Sequence, residues 1–338
     1  MLKKAIQSVL NQTYPNYQVC VYDNASADQT ASVVKNLITS GANIRYHRHT
    51  TNIGMQENFQ YGLKRVDTPF FSFLCDDDIL LPGFFEKALE GFEKHPDAQF
   101  STGLAVYTDT REITDVKPQG VEGYLEPPES LLSMITGNFT HPILEATLFR
   151  REVIAEFGYL DLAVGPLGDD LDYMFRIMAH RPVVVSNTPY AIRVNQPTSN
   201  LVTADYHQLW PGWLKMIQNL SDDERIPAHV QTQIRDALTH TLIAWLLSIG
   251  YANVRNGRLD SASKCAELLR DYFRLEDESE ALDKYINLRK DHEMLFHLKN
   301  LQQHASSLMQ IRTQFMARRK WREWQEKYGQ YLQYLQAL

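Results

Sequence analysis

The spacing of apolar positions changes several times along the first part of the chain. Leu2, Ile6, Val9 and Leu10 share one helical face, and after a turn at Tyr14-Pro15-Asn16 residues 18–22 have the composition of a short buried strand. That run ends in Asp23-Asn24-Ala25-Ser26-Ala27-Asp28, residue types that start turns and cap helices. Val33, Val34, Leu37 and Ile38 mark the next helix, residues 44–47 a second strand, and Met55, Phe59 and Leu63 a helix opening after Gly54. Residues 70–74 predict a third strand, Pro82 the start of a helix through Phe85 and Leu89, and residues 99–107 a further strand. Strands alternating with helices predict a parallel sheet covered on both faces, with ligands bound beyond the carboxyl ends of the strands. Asp23-Asn24 and Asp76-Asp77-Asp78 both fall at that end, so two acidic loops are expected to converge on one crevice.

From about Tyr206 strand signals vanish and helical periodicity takes over, as in Leu242, Trp245, Leu246 and Ile249. The expected division is an α/β domain over residues 1–204 and an all-helical domain over 205–338. Near the end, Trp321, Trp324, Tyr328, Tyr331, Leu335 and Leu338 form a heptad seam, which predicts packing on another helix, within a bundle or in a homodimer. Arg318, Arg319, Lys320 and Arg322 beside the two tryptophans offer the alternative of peripheral contact with an anionic membrane.

Composition narrows the picture. Apolar residues make up 44% and charged residues 22% of 338, which excludes global disorder. A formal net charge of −7 argues against duplex nucleic acid as a partner. The apolar runs fall short of the ~20 residues of a membrane span and no signal peptide opens the chain. Cys20, Cys75 and Cys265 form no CxxC unit and read as reduced, mostly buried thiols, which suits a cytoplasmic protein.

The chemistry concentrates in two places. The run Phe70-Phe71-Ser72-Phe73-Leu74-Cys75 leads straight into Asp76, Asp77 and Asp78. Three carboxylates at a strand end repel one another unless a cation sits among them, and a hard divalent ion such as Mg²⁺ is a natural counter-charge. The alternative is a solvated acidic turn at the N-terminus of the following helix. Gly168-Asp169-Asp170-Leu171-Asp172-Tyr173-Met174-Phe175-Arg176 is the second place. Leu171, Met174, Phe175 and Met178 form its apolar face, so Asp169 and Asp170 are expected in the first turn, pointing away from the core. A carboxylate there is a general base or a helix cap.

The order of these segments resembles the family-2 glycosyltransferases. AIQSVLNQTYPNYQVCVYDNASADQT, TNIGMQENFQYGL, FLCDDDILLPGFF, LFRREVIAEFGYLD and DDLDYMFRI follow in the family's order across residues 2–202. The resemblance implies the GT-A fold, Rossmann-like with a mostly parallel sheet. It implies an inverting transfer from a nucleotide-sugar donor, with UDP favoured, to a hydroxyl of a glycan or lipid-linked acceptor, as in surface polysaccharide synthesis. It places Asp23, Asn24 and Asp76 at the donor nucleotide and Asp77 on Mn²⁺ or Mg²⁺. Asp170 becomes the base, with Asp169 and Asp78 as neighbours, and Arg176 a structural salt-bridge partner. Two readings stand beside it: a nucleotidylyltransferase, and a degenerate, non-catalytic sugar-nucleotide-binding protein.

The chain departs from the family pattern in four places. Asn24 stands where many relatives carry a second aspartate, and Cys75 opens the acidic quartet. Asn195 stands where a histidine often occurs, with His141 or His207 as substitutes. The family's first strand and its turn are missing before the helix at Lys3, so Met1 is expected to be internal to a longer reading frame and the chain to be weakly active or inactive.

Overall fold

The structure is a computed structural model that describes residues 1–116, 120–136, 143–165, 168–195, 210–293, 296, 323 and 325–338. Its first part alternates as the periodicity predicts: α1 (Leu2–Leu10), β1 (Val19–Asp23), α2 (Thr30–Thr39), β2 (Ile44–Arg48), α3 (Met55–Leu63), β3 (Phe70–Phe71), β4 (Ile79–Leu80), α4 (Phe84–Lys94) and β5 (Phe100–Thr108). Then come β6 (Ile113–Val116), β7 (Gly123–Leu125), α5 (Glu129–Ile135), a 3-10 turn (Leu144–Ala146), β8 (Thr147–Arg150), α6 (Glu152–Phe157), α7 (Asp169–Met178) and β9 (Val183–Val194). This is an α/β domain, and the part that follows is helical, in keeping with the expected fold class.

The strands form two sheets. β1 and β2 pair in parallel, with Val19 opposite Ile44, as a two-stranded sheet of their own. The other sheet has seven strands in the order β3-β8-β5-β9-β4, with β6 on β5 and β7 on β9. Parallel pairing holds for β1–β2 and for β5–β9, while every other pairing among the described residues is antiparallel. The larger sheet is therefore mixed, because hairpins and return strands after β5 enter it from both directions. The third strand is also shorter than the predicted 70–74, and the apolar residues after the acidic loop form β4 before the helix begins at Phe84.

α1 holds β4 in place with buried polar side chains. Ser8 Oγ accepts from the Leu80 N–H at 3.1 Å. Gln12 donates to the Leu81 carbonyl at 3.0 Å and accepts from the Phe84 N–H at 3.1 Å. Pairing these buried backbone groups secures the segment that follows the acidic loop.

The helical part contains α8 (Trp210–Ser221), α9 (Ala228–Arg255), α10 (Leu259–Glu267), a π-helical turn (Leu268–Tyr272) and α11 (Glu276–Asp291). Val230, Ile234, Leu238, Leu242, Leu246, Gly250 and Val254 line one buried side of α9. Although no run in the sequence suggested a span, α9 is long and apolar enough to cross a membrane by length and composition. The expected boundary at 204/205 lies outside the described residues. On either side of it one apolar core continues, from Phe71, Phe149 and Tyr173 to Met216, Leu242 and Leu282. Of the cysteines, Cys265 is buried, Cys75 partly so, and Cys20 exposed, contrary to the expectation of mostly buried thiols.

The terminal helix, α12 (residues 325–337), packs mainly on the large sheet and also meets α1, where Lys4 donates to the Leu335 carbonyl at 2.6 Å. Tyr328 joins Leu104, Val106, Ile113 and Val116, and Leu335 joins Ile79, Leu81, Ile192 and Val194. Gln325 clamps the backbone of Ile113, accepting from its N–H at 3.2 Å and donating to its carbonyl at 2.9 Å. Trp321, Trp324, Arg318, Arg319, Lys320 and Arg322 lie outside the described residues.

Candidate active site

The loop after β1 is organised by Asp23, which is 3% exposed. Tyr46 Oη donates to its Oδ2 at 2.6 Å, the Ser26 N–H donates to its Oδ1 at 2.8 Å, and Arg48 Nε lies 3.4 Å from Oδ2. Burial alone would raise its pKa, but the bonds from Tyr46 and Ser26 and the charge of Arg48 hold it below the ordinary aspartate value. Asn24 donates to Asn52 Oδ1 at 3.0 Å and to the Gly54 carbonyl at 2.9 Å, and it accepts from the Ile53 N–H at 2.8 Å. Together these bonds fold residues 52–54 onto the strand end and set where α3 begins.

From the first turn of α3, Gln56 donates to Asp169 Oδ2 at 3.0 Å. The Asp23-Asn24 loop and the Asp169-Asp170 turn are thus joined through α3. Asp169 is 6% exposed, so the expectation that it points away from the core is corrected: Gln56 covers it. Asp170 beside it is partly buried, and its Oδ1 accepts from the Leu171 N–H at 2.8 Å. Burial first, and then the charge of Asp169, push the Asp170 carboxyl up to about 6. Arg176 plays the structural part expected of it, with Nε 2.7 Å from Asp172 Oδ2 and donor bonds to the carbonyls of Phe157 and Tyr159.

The acidic triplet is graded in depth. Asp76 is exposed, Asp77 partly buried, and Asp78 only 2% exposed. Asp78 Oδ1 accepts from the Val194 N–H at 3.0 Å, which ties the loop to the end of β9. Burial, Glu145 and Asp77 push the Asp78 carboxyl well up, and burial followed by Asp76 raises Asp77.

Two charged residues that the sequence reading passed over sit at the centre. Glu145, on the 3-10 turn, is 5% exposed, and Arg193 projects from β9 between Ile192 and Val194. Burial works against the Arg193 charge, yet Glu145 and Asp78 hold the guanidinium more firmly protonated than usual. Asp77 and Asp170 both feel the opposing charges of this pair, Arg193 lowering and Glu145 raising each of their pKa values. The charges of Glu145 and Arg193 therefore act on both carboxylates, although these come from different loops. Each missed residue left a signal in the sequence: a lone acid inside Ile143–Phe149 and a lone arginine inside an apolar strand.

Asn195 stands apart from this cluster. Its N–H donates to the Thr108 carbonyl at 2.8 Å and its amide to Thr114 Oγ1 at 3.1 Å, on β5 and β6. His141 and His207 lie outside the described residues.

The comparisons with known proteins identify the family. The family model for glycosyl transferase family 2 matches residues 1–158. An uncharacterised glycosyltransferase of Rickettsia typhi is 30% identical over 230 residues, covering 64% of this chain and 68% of that one. The chain belongs to the family-2 glycosyltransferases. A GalNAc(5)-diNAcBac-PP-undecaprenol beta-1,3-glucosyltransferase of Campylobacter jejuni is 37% identical over 97 residues, 27% of this glycosyltransferase and 31% of that enzyme. The chain thus spans about a third of that relative's length. In fold, it superimposes on S. aureus TarS 1–349 in complex with UDP with a TM-score of 0.61, at 13% identity, over 86% of this chain and 88% of that one.

The acidic centre of this family-2 chain can be tested for fit to a divalent cation. Cys75, Asp78 and Glu145 bring ligand atoms within 4.8 Å of one another. Burial and Glu145 push the Cys75 thiol well up, and it donates to Glu145 Oε1 at 3.0 Å, so this sulfur is a protonated donor. Asp78 is engaged by the Val194 N–H and the charge of Arg193. Asp77, nearer the surface, is the carboxylate of this loop whose hard oxygen chemistry suits Mn²⁺ or Mg²⁺.

Proposed function

We propose that the chain is an inverting glycosyltransferase that moves a sugar from a nucleotide-diphosphate donor to a glycan or lipid-linked hydroxyl in surface polysaccharide synthesis. The observation that carries this reading is that Asp77 and Asp170 both feel the charges of Glu145 and Arg193, with Asp170 at about 6. A carboxylate at that value is ionised at neutral pH and still basic enough to take a proton in the transition state.

The acceptor oxygen attacks the anomeric carbon opposite the leaving diphosphate. As the new C–O bond forms, the bond from that carbon to the diphosphate oxygen breaks, and the acceptor proton passes to Asp170. One displacement inverts the carbon. A Mn²⁺ or Mg²⁺ ion held by Asp77 would neutralise charge on the leaving diphosphate. Asp23 and Asn24 shape the loop beside the nucleotide, and Asp76 is the exposed carboxylate preceding Asp77. UDP is the donor base we favour. The UDP complex of TarS supports that choice, as does the Asn24 carbonyl, which can accept a base N–H.

The test is donor turnover by the purified chain with Mn²⁺ and a panel of UDP-sugars. Asp170→Asn is expected to lower turnover by ~10²–10⁴-fold with nucleotide binding retained. Asp77→Asn is expected to remove the Mn²⁺-dependent part of nucleotide binding. Undiminished turnover in Asp170→Asn would overturn the assignment of the base, and wild-type binding without any turnover would favour a non-catalytic protein.

A further inference from the structure

A cleft of about 300 Å³ lies between the start of α8 and the segment running from α10 into the π-helical turn. Trp210 and Tyr272 form its aromatic wall, with ring centroids 4.9 Å apart and planes at 61°. Lys264, Glu267 and Asp271 supply its polar edge. Tyr272 is 50% exposed, more than any other large apolar side chain among the described residues. The Lys264 and Glu267 side chains carry no hydrogen bond or ion pair among the described residues, while the Asp271 carboxylate meets the neighbouring Arg270 on the surface.

Three features suggest a built recognition surface. The wall is formed where the helix widens into a π turn, a distortion concentrated at functional sites because it displaces side chains from regular spacing. Its chemistry is mixed: aromatic faces suit the apolar C–H side of a sugar ring, and a carboxylate and an ammonium beside them suit its hydroxyls. The cleft is also joined to the catalytic turn. Gly212, two residues after Trp210, lies so close to the Val164 carbonyl that a Cβ has no room, and Val164 in turn packs against Gly168, immediately before Asp169 and Asp170.

We propose that the Trp210–Tyr272 cleft binds a saccharide unit of the acceptor glycan. The inference rests on the glycosyltransferase reading above. One or more sugar rings would stack on Trp210 and Tyr272, with Lys264, Glu267 and Asp271 holding the hydroxyls, while the reacting end of the chain reaches Asp170. A glycan anchored there gains affinity from a unit remote from the reacting hydroxyl.

The experiment uses the full chain on an array of immobilised oligosaccharides of glucose, galactose, mannose and N-acetylhexosamines, beside a separate titration of wild type with UDP-sugars and Mn²⁺. Wild type is expected to retain at least one glycan class, and Trp210→Ala and Tyr272→Ala to lose that retention at least ~10-fold. Asp77→Asn is expected to keep it. Tyr272 is exposed, so Tyr272→Ala reports on the cleft even if Trp210→Ala fails to fold. No retention by wild type, or equal retention by wild type and Tyr272→Ala, overturns the cleft. Failure of wild type to bind any UDP-sugar instead strikes the proposed function, whatever the array shows.

Discussion

Arg193→Met tests the centre of the site directly. It removes the guanidinium that faces Glu145, Asp78, Asp77 and Asp170 while keeping an unbranched chain. Leaving a buried charge uncompensated costs ~3–5 kcal/mol. The carboxylates have another way out, which is to take up a proton. Asp78 already stands well up and Asp170 at about 6, so at pH 7 protonating Asp170 costs only the one unit between, about 1.36 kcal/mol. Protonation is the lesser cost, so the expected loss at pH 7 is about 1–2 kcal/mol.

The pH dependence has a definite sign. In the variant a buried carboxyl has its folded pKa raised further above its unfolded value, so the folded state holds the extra proton. Stability then falls as pH rises from the unfolded pKa toward the folded one, by about 1.4 kcal/mol per unit. The gap to wild type should therefore nearly close at pH 5 and open to about 1–2 kcal/mol at pH 7. Urea unfolding followed by circular dichroism at pH 5, 6 and 7, without added metal, measures it. A gap that stays constant across this range would refute the argument, because a merely steric loss has no reason to follow protonation.

Two other expectations are simpler. Donor turnover should rise tenfold per pH unit below about 6 and level above it, since the Asp170 base works only when ionised; a flat profile from pH 5 to 7 would exclude it as the titrating base. Leu335→Ala should cost ~2–5 kcal/mol, because Leu335 is 2% exposed against Ile79, Leu81, Ile192 and Val194; a loss under ~1 kcal/mol would mean that α12 is not needed to cover the sheet.

What was legible in the sequence is what local spacing controls. The faces of α1 to α4 and the ends of β1 and β2 follow from period and turn chemistry, and so does the placement of Asp23 at the end of β1, whereas Asp77 lies between the short β3 and β4. The errors arise where a partner is distant. The terminal seam of Tyr328, Tyr331 and Leu335 was correct as an apolar stripe, but a stripe does not say whether a helix or a sheet covers it. Asp169 looked solvent-facing from its own helix, and only Gln56 of α3 reverses that. β4 was too short to show period two, and its register is set by β9.

Glu145 and Arg193 mark the deeper limit. In isolation each is a misfit, a charge within an apolar run, and local rules treat misfits as noise. Buried charges persist only when something pairs them, so two such misfits in one chain are a reason to suspect that they meet. Here they do, between β8's approach and the end of β9, with the acidic loop and Asp170 around them. The same alternation that turns Ile192 and Val194 toward α12 turns Arg193 to the opposite face of the strand. The cover on the back of β9 and the charge at its front therefore depend on a single strand register, and a slip of one residue would lose both together.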